Sequence, residues 1–151
     1  MNLDQIPSHI IGWREWVSLP ELGIKRLKAK VDTGARTSAL HAHQVECFQD
    51  HGVNKVKFVI YPLHHFPEKP VVCVAELQDI RWVTDSGGHR EQRPVIKTLI
   101  KMADKSWYIE ITLTSRDDMS FRMLLGRTAM QNHFVVNPSA SYLLKKNKSQ
   151  K

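Results

Sequence analysis

Val31-Asp32-Thr33-Gly34-Ala35 puts a carboxylate, a hydroxyl and a glycine directly behind an alternating run, Ile24 to Lys30. A carboxylate leaving a rigid strand on a turn that glycine lets bend can be held in one orientation. That is what acid–base work on a water molecule requires. Asp, Thr and Gly are also the residues of plain turns, and an Asp that caps its own backbone reads the same way. A second feature lies far along the chain. Leu124-Leu125-Gly126-Arg127 is an apolar pair ending in Gly and Arg, ahead of a short helix expected over residues 127–132.

Metal chemistry has one candidate set. His41, His43 and Cys47 are ligand types at loose zinc-like spacing, and on one strand His41 and His43 would share a face. No His-Glu-x-x-His or paired Cys-x-x-Cys occurs, so solvated or hydrogen-bonded histidines are the expected reading. The same holds for His64 and His65, between Pro62 and Pro67. Cys47 and Cys73 read as apolar side chains of a reducing compartment. No Gly-rich phosphate loop is present, and no cofactor is expected.

The elements that must position these groups are mostly strands. Residues 10–19, 24–31, 56–61, 71–75, 94–102, 107–114 and 121–126 are β-branched, aromatic or alternating runs. The fifth and sixth are expected to form a hairpin across Ala103-Asp104-Lys105-Ser106. Trp13, Trp16, Trp82 and Trp107 fall in or beside these runs and are expected to pack. Many short strands with little helix predict an all-β barrel or sandwich.

With 151 residues, the chain suits one domain. No apolar run approaches membrane length, and the start lacks a signal-peptide pattern, so a cytoplasmic protein without membrane contact is expected. The net charge of +7 includes a Lys-rich end that reads as a solvated tail. Charge alone allows phosphate contact, but no zinc finger, recognition helix or RNA-binding signature supports specific nucleic-acid recognition.

Taken together, Asp32-Thr33-Gly34-Ala35 and Leu124-Leu125-Gly126-Arg127 resemble the paired motifs of retroviral-type aspartic proteases, the retropepsins. The chain is more closely similar to a bacterial branch of that superfamily labelled ATP-dependent zinc proteases. The resemblance runs from about Ile11 to Leu144 and includes Gly12-Trp13-Arg14-Glu15, Leu19-Pro20-Glu21-Leu22-Gly23-Ile24 and Arg93-Pro94-Val95-Ile96. It implies a retropepsin-like closed β-barrel over residues 10–144 with one short C-terminal helix. A short extension (1–9) would precede it and a basic tail (145–151) would follow.

The resemblance also implies chemistry. Asp32, Thr33 and Gly34 would be catalytic, with Asp32 of two chains facing each other in a homodimer. Two close carboxylates share one proton, so one activates water while the other donates to the peptide carbonyl. Ala35, Arg36, Thr37, His41 and Arg127 would contact a peptide or protein substrate. Retropepsins carry a second Asp after the Ala, paired to the Gly-Arg arginine. Arg36 stands there instead, so Glu91, Asp117 or Asp118 is the expected partner of Arg127. Ser86-Gly87-Gly88-His89 is either a plain turn or a lid. Relatives are often encoded near an ATP-grasp ligase that adds glutamates to a ribosomal protein. Those two proteins are therefore implied as partners, with a glutamate-rich tail as a substrate.

Overall fold

A computed structural model describes residues 9–62, 69–115 and 120–144. Eleven strands, one short α-helix and a single 3-10 turn at Pro20–Leu22 occur among them. Nine strands form one continuous sheet in the order β2-β3-β10-β4-β9-β8-β7-β6-β5. Their ranges are β2 Arg14–Leu19, β3 Ile24–Val31, β4 Ser38–His41, β5 His43–Asp50, β6 Val53–Ile60, β7 Val71–Thr84, β8 Arg90–Met102, β9 Lys105–Thr114 and β10 Met123–Leu125. The Ser18–Lys101 pairing between β2 and β8 curls part of this sheet back on itself. Strands β1 (His9–Ile11) and β11 (Phe134–Val136) pair in parallel as a separate ribbon. The expected all-β, barrel-like class is the one observed.

Alternation explains the core. Ile24, Leu27 and Ala29 of β3 face inward with Val17 and Leu19 of β2, while Arg26 and Lys30 stay exposed. Phe58, Leu40, Ile96, Ile100 and Ile111 complete a single cluster with them. Each such fully buried side chain contributes about 1.5–3 kcal/mol.

Several boundaries differ from the sequence expectation for identifiable reasons. The run 10–19 breaks at Gly12, where an added Cβ would sit 2.2 Å from the Ala140 carbonyl oxygen. The end of the described chain crosses there: Trp13 N donates to Ala140 O at 2.8 Å, and Tyr142 N to Arg14 O at 3.0 Å. The strand expected over 71–75 continues to Thr84, through a register shift between Leu77 and Asp79. The hairpin turn is only two residues long, since Met102 pairs with Lys105, and Ala103 takes a left-handed φ of 54°. The helix is a single turn, α1 (Arg127–Met130). The expected strand 121–126 shrinks to the three residues of β10. His41 and His43 do not share one strand, because β4 ends and β5 begins across Ala42.

Candidate functional site

The Asp32 turn sits where three strands cross. β10 lies between β3, its parallel neighbour through Leu125↔Val31, and β4, its antiparallel neighbour through Leu124↔Ala39. The backbone therefore hands Asp32 over in a fixed position: its N–H donates to Leu125 O at 2.9 Å. Beyond it, the turn is clamped by α1. Arg127 N donates to Ala35 O at 2.7 Å, Thr128 N to Arg36 O at 3.0 Å, and Thr128 Oγ1 to the same Arg36 oxygen at 2.8 Å.

Gly126 makes this clamp possible. An added Cβ would lie 2.5 Å from the Thr37 carbonyl carbon, so only glycine lets β10 cross so close beneath the turn. The Ser38 hydroxyl accepts from Gly126 N at 3.0 Å. The motif Leu124-Leu125-Gly126-Arg127 thus supports the Asp32-Thr33-Gly34-Ala35 turn backbone to backbone.

Asp32 is half-buried. Its Oδ1 accepts from Gly34 N at 3.1 Å and Ala35 N at 3.2 Å, a self-capping turn. The structure gives Oδ2 no hydrogen-bond partner among the described residues. One oxygen holds the orientation and the other remains available for chemistry.

A cleft of about 1160 Å³ opens in front of this turn. Asp32, Gly34, Ala35, Arg36 and Thr37 line one wall. The far end of the β7–β8 hairpin forms the other, from Arg81 to Ser86 with Arg93. Its tip is tightly built: Asp85 Oδ1 accepts from Gly87 N and His89 N, both at 2.9 Å. Ser86-Gly87-Gly88-His89 is therefore a turn at the end of a long hairpin beside the cleft.

Charge is organised on the hairpin's cleft side. Arg81 and Arg93 are direct cross-strand partners, an arrangement that is unfavourable unless each cation is compensated. Arg81 forks onto Glu110 with two 3.0 Å bonds and reaches Asp79 at 2.9 Å. That fork holds the Glu110 carboxyl below its ordinary range. Arg93, buried, donates to Glu91 at 2.6 Å, and the Thr114 hydroxyl donates to the same oxygen at 2.7 Å. Burial by itself raises the Glu91 pKa, but the Thr114 and Arg93 bonds outweigh it and leave the group lowered.

Three expected site residues fall elsewhere. Arg127 does not meet Glu91; its Nη1 donates to Thr33 O at 3.0 Å, so the cation braces the turn through a carbonyl. Asp117 and Asp118 lie outside the described residues, as do His64, His65, the tail and most of the N-terminal extension. His41 is 3 % exposed and, like Thr33, is not a wall of the cleft. The proposed zinc set does not assemble either. Cys47 is exposed opposite Val56, and no three His, Cys, Asp or Glu side chains gather among the described residues. A catalytic zinc needs three protein ligands, and the described residues do not bring such a set together.

The sequence reading missed the hairpin's arginine pair and the pairing of Glu91 with Arg93 and Thr114. Their only signal was polar residues alternating through residues 76–93, a pattern that also fits a solvated loop.

Comparison with known proteins agrees with this geometry. A family model described as "RimB-like: Retropepsin-like aspartic endopeptidase RimB" matches residues 10–147. A probable alpha-L-glutamate ligase of Desulfotalea psychrophila is 45% identical over 134 residues, covering 89% of this chain but 29% of its own length. One from Shewanella pealeana is 42% identical over 135 residues, covering 89% and 30%. The chain thus spans less than a third of these curated relatives. The crystal structure of Lpg0085, a Legionella pneumophila protein of unknown function, superposes with a TM-score of 0.77 at 26% identity. That match covers 91% of this chain and 99% of the Legionella chain. With a family model spanning nearly the whole described barrel, the chain belongs to the RimB-like family of retropepsin-like proteins.

Proposed function

We propose that the chain is an aspartic endopeptidase in which two copies each contribute Asp32 to one active site. The observation that carries this reading is the Asp32 turn itself. It is fixed by Leu125 and α1, with one carboxylate oxygen anchored and the other unbonded among the described residues, at the edge of a cleft walled by a hairpin. A single carboxylate cannot both take and give a proton in one step. A second Asp32 across a two-fold axis supplies the complementary group, and the pair shares one proton. The ionised member takes a proton from water as it attacks the peptide carbonyl. The protonated member donates to the carbonyl oxygen.

The β1–β11 ribbon is a suitable edge for such a dimer. It is a two-stranded parallel pair with Ile10 and Val135 about half exposed, and it follows directly on α1, which clamps the Asp32 turn. Isolated two-stranded ribbons are marginal, and parallel ones are normally covered. The cleft presents Lys30, Arg36, Arg81 and Arg93, which suits an acidic peptide. Relatives named alpha-L-glutamate ligases, on chains of which this domain spans under a third, support work alongside such a ligase on a glutamate-rich tail.

Asp32→Asn is expected to abolish cleavage of a glutamate-rich peptide while leaving the fold and the dimer unchanged. Equal turnover by this variant would overturn the reading. A second reading, a binding module without catalysis, is favoured by the self-capped Asp32 Oδ1. A strictly monomeric chain that still binds acidic peptides would decide for it.

A further inference from the structure

The barrel handles its cations in two ways. On the β7–β8 hairpin, Arg81 and Arg93 are each bonded to carboxylates. On the outer face of β2 and β3 lie Arg14, Arg26, Lys28 and Lys30, and among the described residues no carboxylate pairs with any of them. Arg14 stands directly opposite Lys30, and Trp16 opposite Lys28. Like charges in facing positions are unfavourable unless something compensates them. The acid of these two strands, Glu15, is turned inward and fully buried.

Aromatic rings stand where carboxylates would be expected. The Arg26 guanidinium lies 3.7 Å from the centre of the Trp16 ring, and the Lys28 ammonium 5.3 Å from it. Arg14 packs on the Trp13 and Tyr142 rings at 4.6 and 4.9 Å. A ring face holds a cation in place without cancelling its charge. These side chains are therefore oriented and still fully cationic, and an arriving anion relieves their mutual repulsion. Arg26, Lys28 and Lys30 alternate on one strand face, about 6.6 Å apart. Same-side carboxylates of an extended acidic peptide repeat at that interval. Lys30, at the end of the row, also lines the Asp32 cleft, so the row leaves the cleft along β3 for roughly 13 Å.

We infer that the outer face of β2 and β3 is a docking strip for an extended acidic segment of a polypeptide whose neighbouring stretch occupies the cleft. The inference rests on the cleft being a peptide site, as proposed above, and places further affinity outside it. Carboxylates of the segment meet Arg26, Lys28 and Lys30 in turn, with Arg14 flanking Lys30. Nucleic acid fits the strip less well. Single strands bind on open aromatic faces, but Trp16 stacks with Tyr142 at 6.0 Å and carries Arg26, leaving no platform for a base.

The test is the fluorescence anisotropy of a labelled oligoglutamate on the full chain carrying Asp32→Asn, so that cleavage does not enter. Saturable binding that weakens steeply with added salt is expected. Adding Arg26→Gln and Lys28→Gln together should weaken it at least tenfold without moving the thermal midpoint. Lys57→Gln with Lys69→Gln, which removes the same charge from β6 and from just before β7, should leave it unchanged. Equal affinity in the Arg26/Lys28 variant, an equal loss in the Lys57/Lys69 variant, or tighter binding of an oligouridylate of matching length overturns the strip. Should the Arg26/Lys28 variant fail to fold, amide resonances of Arg26 and Lys28 in its parent decide; unmoved signals on peptide addition refute the proposal. Turnover by the wild-type chain is a separate readout. Strip-dependent binding without any cleavage would remove the peptidase reading and keep the strip, whereas cleavage with strip-independent binding would do the reverse.

Discussion

Two carboxylates in this barrel are both held by backbone N–H groups, and the contrast between them separates scaffold from site. Glu15 is fully buried and accepts from Gly12 N at 2.8 Å, Leu143 N at 2.8 Å and Leu144 N at 3.1 Å. Two of its three donors come from 128 and 129 residues away, one on each oxygen, so both oxygens help tie the end of the described chain to β2. Asp32 accepts only from its own turn, through one oxygen, and is half open to a cleft. A carboxylate committed on both oxygens to distant segments holds the fold. One committed on a single oxygen to its neighbours is oriented and still free to react.

Exchanging the roles of the two groups breaks this comparison most directly. Asp32→Asn should lower peptide cleavage by at least roughly 10²–10⁴-fold, the usual contribution of a positioned acid–base group. Its thermal midpoint should stay near wild type, because an amide oxygen still caps the turn. Glu15→Ala should do the reverse at the level of stability. One buried and two part-buried N–H groups lose their acceptor, at a cost of about 2–4 kcal/mol. Urea denaturation would show a lower midpoint, with peptide turnover per folded molecule retained. A stable Glu15→Ala protein would mean that the 137–144 segment is not held by this carboxylate. Support would then pass to the aromatic ladder beside it, where Arg14 lies between the Trp13 ring at 4.6 Å and the Tyr142 ring at 4.9 Å.

The same pair shows what was legible in the sequence. Asp32 announced itself because turn chemistry is local: strand, Asp, Thr, Gly and Ala are contiguous. The run Ile24–Val31 was readable for the same reason, its period matching one buried and one wet face. Glu15 was hidden inside an apparently continuous strand, because the partners that justify burying it lie more than a hundred residues away. β4 and β11 were missed as well. They are four and three residues long and gain their status from neighbours, not from their own pattern. Arg127 illustrates the limit at the site. Its position was readable, but its partner, the Thr33 carbonyl, carries no side-chain signature.

The two glycines of the paired motifs sharpen the comparison at smaller scale. Gly126 is required by the chain itself, since Thr37 and Ser38 leave no room for a Cβ. A Cβ on Gly34 would meet only Asp32 Oδ1, at an ordinary 3.4 Å. Gly34→Ala should therefore leave the monomer's stability within about 0.5 kcal/mol, as surface changes usually do. Close approach of a second copy should suffer instead, seen as at least a tenfold weaker dimer by sedimentation. Unchanged association would mean that the two turns do not meet at Gly34.

The smallest effect concerns Glu91. Its carboxyl titrates below the ordinary value because the Thr114 and Arg93 bonds to the ionised form outweigh the opposing effect of burial. A group lowered in the folded state adds stability above its unfolded pKa, about 4.3 for Glu. That stability is lost as the pH falls through the lower folded value. The Glu91 side chain is 24% exposed, so the contribution should be no more than a few tenths to about 1 kcal/mol. Thermal midpoints of wild type and Glu91→Gln should lie furthest apart above pH 5 and converge below pH 4. A constant gap across that interval would show that Glu91 acts through packing, and that the buried Arg93 beside the cleft does not depend on its charge.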